Sequence, residues 1–69
     1  MKLKYIVYFD DNGWITGFDA NENGQYEFDA DTLELGYLNA YKMIDGVPVI
    51  DLERKAWLIE EMKKLLEIN

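Results

Sequence analysis

The chain has 69 residues, of which fourteen are acidic and seven are basic, so its formal net charge is −7. It contains neither cysteine nor histidine, which excludes disulfides and the usual ligands of a structural zinc ion. The negative charge disfavours nucleic acid and anionic membrane surfaces as partners, and it favours solubility, cation binding or a basic protein partner.

A chain of this length forms one domain, residues 1–69, which buries only roughly 60% of the surface that the unfolded form exposes. The apolar fraction of 49%, with five Tyr, three Phe and two Trp, predicts a folded core. No apolar run is long enough for a signal peptide or for the roughly 20 residues of a membrane span. We therefore expect synthesis in the cytoplasm and no membrane association.

Two apolar runs around an Asn-Gly pair predict the first β-hairpin. Residues 3–9 alternate imperfectly with apolar residues on both faces, which is typical of a central or doubly covered strand. Asn12-Gly13 is a strong hairpin signal, and residues 14–18 form the returning strand. The residues expected to share one face are Trp14, Thr16 and Phe18 with Tyr5, Val7 and Phe9. Gly17 marks a bulge or a close approach of two backbones.

The middle of the chain predicts an extra strand and a second hairpin. Residues 25–29 alternate with Tyr26 and Phe28 inward, and Gly36 limits any helix before it to one turn. Residues 37–44 are strand-like, Asp45-Gly46 is a second hairpin turn, and Val47–Ile50 returns. Since Pro48 cannot donate to a ladder, this last strand is expected at an edge.

Helix-forming residues dominate from residue 52 onward, and Asp51 is the expected N-cap. Residues 51–69 are therefore the predicted C-terminal helix, and residues 1–50 are the β-rich part. Its apolar stripe is expected to pack on the sheet. That stripe comprises Leu52, Ala56, Ile59, Met62 and Leu66, widened by Leu58 and Leu65. The fold class is therefore α+β: two antiparallel hairpins and an additional strand forming a small sheet, followed by one amphipathic helix.

Residues 19–31 begin like a calcium-binding loop. Oxygen ligands would come from Asp19, Asn21 and Asn23, with Gly24 at the sharp turn and Glu27 at the ninth position. The bidentate twelfth position is Ala30, however, and the predicted flanks are strands. Asn and Gly are also the residues that a turn between strands requires. We therefore expect a solvated loop, with calcium as the lesser alternative, and no cofactor.

Nothing in the chain predicts catalysis. A Ser–His–Asp triad is absent from the sequence, and the two threonines have no evident base. Paired carboxylates are frequent but lack an orienting cleft, so no catalytic residue is assigned and the protein is expected not to be an enzyme.

The predicted helix carries more apolar surface than one sheet face needs. Leu58, Met62 and Leu65 follow one another at spacings of four and three, which suits contact with further copies of the chain. Trp57 lies off the stripe and serves either as a surface anchor for a partner or as cover for a sheet edge. These four residues are the predicted oligomer or partner interface.

The order of these parts resembles small proteins, and terminal modules of larger ones, from the tail, baseplate and tail-fibre region of phages and prophages of Gram-positive bacteria. The resemblance is carried by residues 8–18, YFDDNGWITGF, and by residues 41–51, Tyr-Lys-x-x-Asp-Gly followed by Asp51 before a charged helix. It implies a structural or adsorption-related protein, often trimeric, without catalytic residues. The acidic stretch 19–31 and Trp57 are not explained by it.

Two functions follow as expectations. The first is a non-enzymatic structural module, virion-associated, that self-associates through its C-terminal helix as a homo-oligomer and docks to another tail or baseplate protein. The alternative is a small acidic regulatory or inhibitor protein that binds a basic protein partner, whose affinity would fall steeply with salt.

Overall fold

The computed structural model describes residues 1–67 and confirms the α+β fold. Two short antiparallel sheets are followed by one C-terminal helix. The first sheet has the order β2-β1-β3, and the second is the hairpin β4-β5. The bounds are β1 Leu3–Phe9, β2 Ile15–Ala20, β3 Tyr26–Phe28, β4 Tyr41–Ile44, β5 Val47–Ile50 and α1 Leu52–Glu67. The last two residues of the predicted helix lie outside the described range.

Both predicted hairpin turns are present. In the first, the Asp10 carboxylate accepts hydrogen bonds from the backbone N–H of Asn12 (2.9 Å) and Trp14 (3.0 Å), and Gly13 has a φ of 87°. In the second, Asp45 and Gly46 both have positive φ, 52° and 83°, as a type I′ turn between twisted strands requires.

The predicted facing of the first hairpin is correct at Phe18 but wrong between Phe18 and the turn, where Ile15 takes the position predicted for Thr16. Val7 pairs with Phe18, but the register shifts between Tyr8 and Phe9, so that Phe9 pairs with Ile15 and Thr16 is extra. This β-bulge lies next to Gly17, which was predicted to mark either a bulge or a close approach of two backbones, and the structure shows the bulge. It turns Ile15 inward, where it is the most deeply buried large side chain, and leaves Thr16 exposed.

A small aromatic cluster forms the centre of the core. The Tyr5 ring stacks on Phe28 at 4.4 Å between centroids, and Phe18 meets both rings edge-on. The buried apolar residues are Tyr5, Ile15, Phe28, Ala40 and Tyr41. Strand β1 is central in its sheet, as expected, but Ile6 and Tyr8 on its other face are exposed.

The strand predicted for residues 37–44 is present only from Tyr41 to Ile44, as β4, and the residues before it are not extended. After a single 3₁₀ turn at Ala30–Thr32, a second 3₁₀ segment, Leu35–Ala40, runs up to β4 and contains a kink at Tyr37. This segment contacts both β2 and α1. It therefore places the C-terminal helix against the body of the domain, meaning residues 1–50.

Candidate functional site

The calcium-loop candidates are engaged in contacts within the chain. Asp19, near the end of β2, accepts a hydrogen bond from the Tyr8 hydroxyl at 3.0 Å. This bond, followed by the negative charge of Asp19, raises the pKa of Tyr8 above its ordinary value. Asn21 Oδ1 accepts from the backbone N–H of Asn23 at 2.8 Å, which is an Asx turn.

Two lysines share the surface groove next to this loop. Lys2 and Lys4 line it together with Asn21, Asn23 and Glu27. The positive charges of Lys2 and Lys4 beside Asn21, Asn23 and Glu27 make this groove less favourable for a cation. Across residues 1–67 there is also no cluster of three or more His, Cys, Asp or Glu side chains arranged to hold a metal ion.

The loop instead carries the chain from one side of β1 to the other. Ala20 at the end of β2 and Tyr26 at the start of β3 both pair with Tyr5, on opposite sides of it. The five residues between them must therefore cross β1 at this level. Gly24 touches the crossing point, because a Cβ built on it would overlap the backbone N, C and O atoms of Tyr5. The Asn-x-Asn-Gly pattern thus serves a strand crossover.

A polar junction joins the first hairpin turn, the 3₁₀ segment and the helix. The Asn39 amide donates to the Asp10 carboxylate and to the Ile15 carbonyl, both at 3.3 Å. Arg54 donates from Nη2 to Asn39 Oδ1 at 2.6 Å and from Nε to the Asn39 carbonyl at 3.3 Å. One asparagine therefore connects residues far apart in the chain.

The guanidinium of Arg54 also lies between two indole rings. Its carbon is 4.9 Å from the ring centre of Trp14 and 4.5 Å from that of Trp57. Lys42 approaches Trp14 as well, with Nζ at 4.3 Å. Trp57, predicted as a partner anchor or a sheet-edge cover, packs on Arg54 while half of its surface remains open. The cation–π contact between Arg54 and Trp14 holds the helix to the first hairpin.

Electrostatics at this junction stabilise the charged form of Asp10. Partial burial raises its pKa, but hydrogen bonds from Asn39, Trp14 and Asn12, with the positive charge of Arg54, outweigh that effect. The net result is a pKa below the ordinary value of 3.8. Nothing in the sequence pattern singled out Asn39 or Arg54.

The side with which the helix docks overlaps the predicted stripe only in part, at Leu58 and Ile59. Asp51 caps it as expected, accepting from the Arg54 N–H at 2.9 Å. The half-buried helical residues are Arg54, Lys55, Leu58, Ile59 and Glu61, whereas Leu52 and Ala56 of the predicted stripe are exposed. Arg54 is held by Asn39, and Lys55 Nζ lies 2.9 Å from Glu34. These two charged residues orient the helix.

An apolar ridge continues beyond the part of the helix that the domain covers. The ridge consists of Met62, Leu65 and Leu66. Each of them lies seven residues, or about two turns, after a half-buried residue and therefore projects from the same side of the helix. Those half-buried residues are Lys55, Leu58 and Ile59, respectively. Met62 is 52% exposed, Leu65 68% and Leu66 75%. Among the predicted interface residues, the structure thus aligns Leu58, Met62 and Leu65. Trp57 lies about 100° around the helix from Leu58.

Comparison with known proteins gives no match for this chain among protein-family models, curated proteins or solved structures. In the described part of the chain, no helix has both the length and the apolar character needed to cross a membrane.

Proposed function

We propose that the protein is a non-enzymatic structural module that self-associates through its C-terminal helix and docks to another protein of a phage tail or baseplate. The observation that carries the self-association is the apolar ridge. The domain body covers one side of α1 in the first half of the helix. On the same side, in the second half of the helix, the ridge residues are more than half exposed: Met62, Leu65 and Leu66. A second copy that covers them would extend the small core.

The dimensions of the chain support this proposal. Its accessible surface is 5188 Å², whereas a compact monomer of 8.1 kDa exposes roughly 4,500 Å². The difference is close to the roughly 800 Å² that each partner buries in an interface of standard size. The radius of gyration, 13.4 Å, also exceeds the roughly 11 Å expected of a compact 69-residue domain.

Sedimentation equilibrium at micromolar concentration tests self-association. We expect the wild-type chain to sediment as a multiple of 8.1 kDa and the substitution Leu66→Glu to weaken association by at least about tenfold, because a charge then faces an apolar contact. Leu52→Glu is the matched control, since Leu52 is a 70% exposed leucine of the same helix in its first turn. It should associate like the wild type.

A monomeric wild-type chain at these concentrations would refute self-association. It would favour the acidic regulatory or inhibitor protein instead, whose binding to a basic partner should weaken steeply as salt rises.

The tail or baseplate assignment has a separate basis and a separate test. It is supported by the resemblance of residues 8–18 and 41–51 to phage tail-region proteins. We expect mass spectrometry of purified virions to detect the protein at a fixed ratio to other tail proteins. Its absence from particles made by cells that express it would exclude a virion role and leave the self-association unaffected.

A further inference from the structure

The sequence contains the step Asn-Gly twice, at Asn12-Gly13 and at Asn23-Gly24. We infer that Asn12 is a site of covalent modification in the folded protein, where its side-chain amide is lost through a cyclic imide, whereas the strand crossover protects Asn23. The modified turn then weakens the polar junction through Asp10. Neither step depends on the proposed function.

The reaction needs only the chain itself and water. The backbone nitrogen of the residue after asparagine attacks the side-chain carbonyl carbon, and the bond from that carbon to the amide nitrogen breaks. The proton of the attacking N–H leaves with the amide group as ammonia, and a succinimide ring remains. Water opens the ring at either carbonyl and gives aspartate or isoaspartate. A following glycine favours the attack because it has no Cβ to hinder its nitrogen, and asparagine is among the thermolabile residues.

The two Asn-Gly steps have the same local geometry. Each asparagine is exposed and occupies the third position of a β-turn whose last residue is the glycine. Gly13 N–H donates to the Asp10 carbonyl at 3.0 Å. Gly24 N–H donates to the Asn21 carbonyl at 2.9 Å. In both turns the side chain of the first residue also accepts from the asparagine N–H, at 2.9 Å and 2.8 Å. Local structure alone therefore predicts equal reactivity.

Tertiary contacts distinguish the two steps. For the ring to close, the glycine N–H must leave its turn hydrogen bond, and the peptide group before it must rotate as a unit. A Cβ built on Gly13 has no neighbour within 4 Å, so the first turn has room for this rotation. Gly24 lies against the backbone of Tyr5 in the central strand β1. Rotation there displaces β1, so the second step reacts only after the crossover opens.

The isoaspartate product disturbs the hydrogen bonds of Asp10. Isoaspartate carries the main chain through its former side chain and so adds one carbon to the backbone of the turn. That carbon lies within the loops closed by three bonds: Gly13 N–H to the Asp10 carbonyl, Trp14 N–H to the Asp10 carboxylate, and Asp10 N–H to the Trp14 carbonyl. The other carboxylate oxygen of Asp10 accepts from Asn39, which in turn accepts from Arg54. A displaced Asp10 therefore loosens the junction that holds the helix.

Peptide mapping by mass spectrometry, during incubation of the wild-type chain at mildly alkaline pH, tests the selectivity. In the folded protein, Asn12 should lose its amide at least about tenfold faster than Asn23, because only the second reaction requires opening of the crossover. The same chain unfolded in urea is the matched control. Glycine follows both asparagines, so the two rates should there agree within about twofold. Equal rates in the folded protein, or loss at neither residue while both react in urea, would overturn the assignment of Asn12.

Melting temperatures test the effect on the junction. The chain that carries isoaspartate at position 12, separated by chromatography, should melt about 8–15 °C below the unmodified chain, because three hydrogen bonds at Asp10 are weakened. Asn12→Asp has the same charge without the added carbon, and it should stay within about 4 °C of the wild type. An isoaspartate form that melts like Asn12→Asp would overturn this effect while leaving the selectivity intact.

A second background separates the junction from the turn. In Arg54→Ala the junction is already weakened, so isoaspartate at position 12 should lower the melting temperature by clearly less than it does in the wild-type background. An undiminished decrease would confine the effect to the first hairpin and overturn its connection to the helix.

Discussion

Adding a single methyl group at Gly24, by the substitution Gly24→Ala, should lower the stability of the fold considerably. The crossover of residues 21–25 brings its backbone against that of Tyr5, and a Cβ at this position would overlap three Tyr5 backbone atoms. Since no flexible side chain can move aside, Gly24→Ala must displace β1 or the loop. Overpacking of this kind costs about 1–3 kcal/mol, and backbone overlap belongs at the upper end.

The consequence for folding is large because the domain is small. A 69-residue chain has roughly 3–10 kcal/mol of stability in total. A loss of about 2–3 kcal/mol should lower the melting temperature by on the order of 10–20 °C, measured by circular dichroism. The chemical denaturation midpoint should fall in parallel.

Gly36→Ala is the matched control. Gly36 has no neighbour within 4 Å of a built Cβ and no positive φ, so alanine should be neutral or stabilising by up to about 1 kcal/mol through the unfolded state. The difference between the two variants isolates the overlap at Tyr5. A Gly24→Ala protein that melts within a few degrees of both wild type and Gly36→Ala would refute the crossover argument.

Three further outcomes are expected. Arg54→Ala should destabilise by about 2–4 kcal/mol in urea unfolding, because two cation–π contacts and two hydrogen bonds to Asn39 are lost, whereas Lys63→Ala should stay within about 0.5 kcal/mol. The pKa of Asp10 is lowered in the folded state, so its contribution to stability is complete above pH 3.8 and is lost as the pH falls through the folded-state pKa. In Asp10→Asn, the free energy of unfolding should therefore depend less on pH in the acidic range. An unchanged pH dependence there would contradict this role of Asp10. Tyr41→Phe removes the hydroxyl that accepts the Glu34 N–H at 2.9 Å and should cost about 1 kcal/mol, and wild-type stability would argue that water replaces it.

The polar junction gives these predictions a common basis. Asp10, Asn39 and Arg54 belong to three segments, and each of them also contacts a backbone group or an aromatic ring. The helix has no fully buried side chain among its described residues. Its attachment therefore depends on directional contacts more than on apolar burial, and a single polar substitution should release it.

Several features could be predicted from the residues alone because they depend on local chemistry. Gly13 in the first turn and Asp45-Gly46 in the second supply the positive φ that their turns need. Asp51 supplies a cap for the helix that follows. Alternation in residues 25–29 likewise predicted that Phe28 points inward, where it is buried. Each signal involves residues within a few positions of one another.

The remaining features were decided by tertiary contacts. The bulge at Thr16 reversed the predicted facing, and it exists because Ile15 fills the core. Residues 19–24 met the opening of a calcium-loop pattern, yet the pairing of Ala20 and Tyr26 with the same Tyr5 makes them a crossover. The amphipathic pattern of the helix predicted that it has an apolar side. Only the contacts of Arg54 and Lys55 with residues 15 to 21 positions away decided which side faces the body, because such distant pairs leave no periodic trace in a sequence.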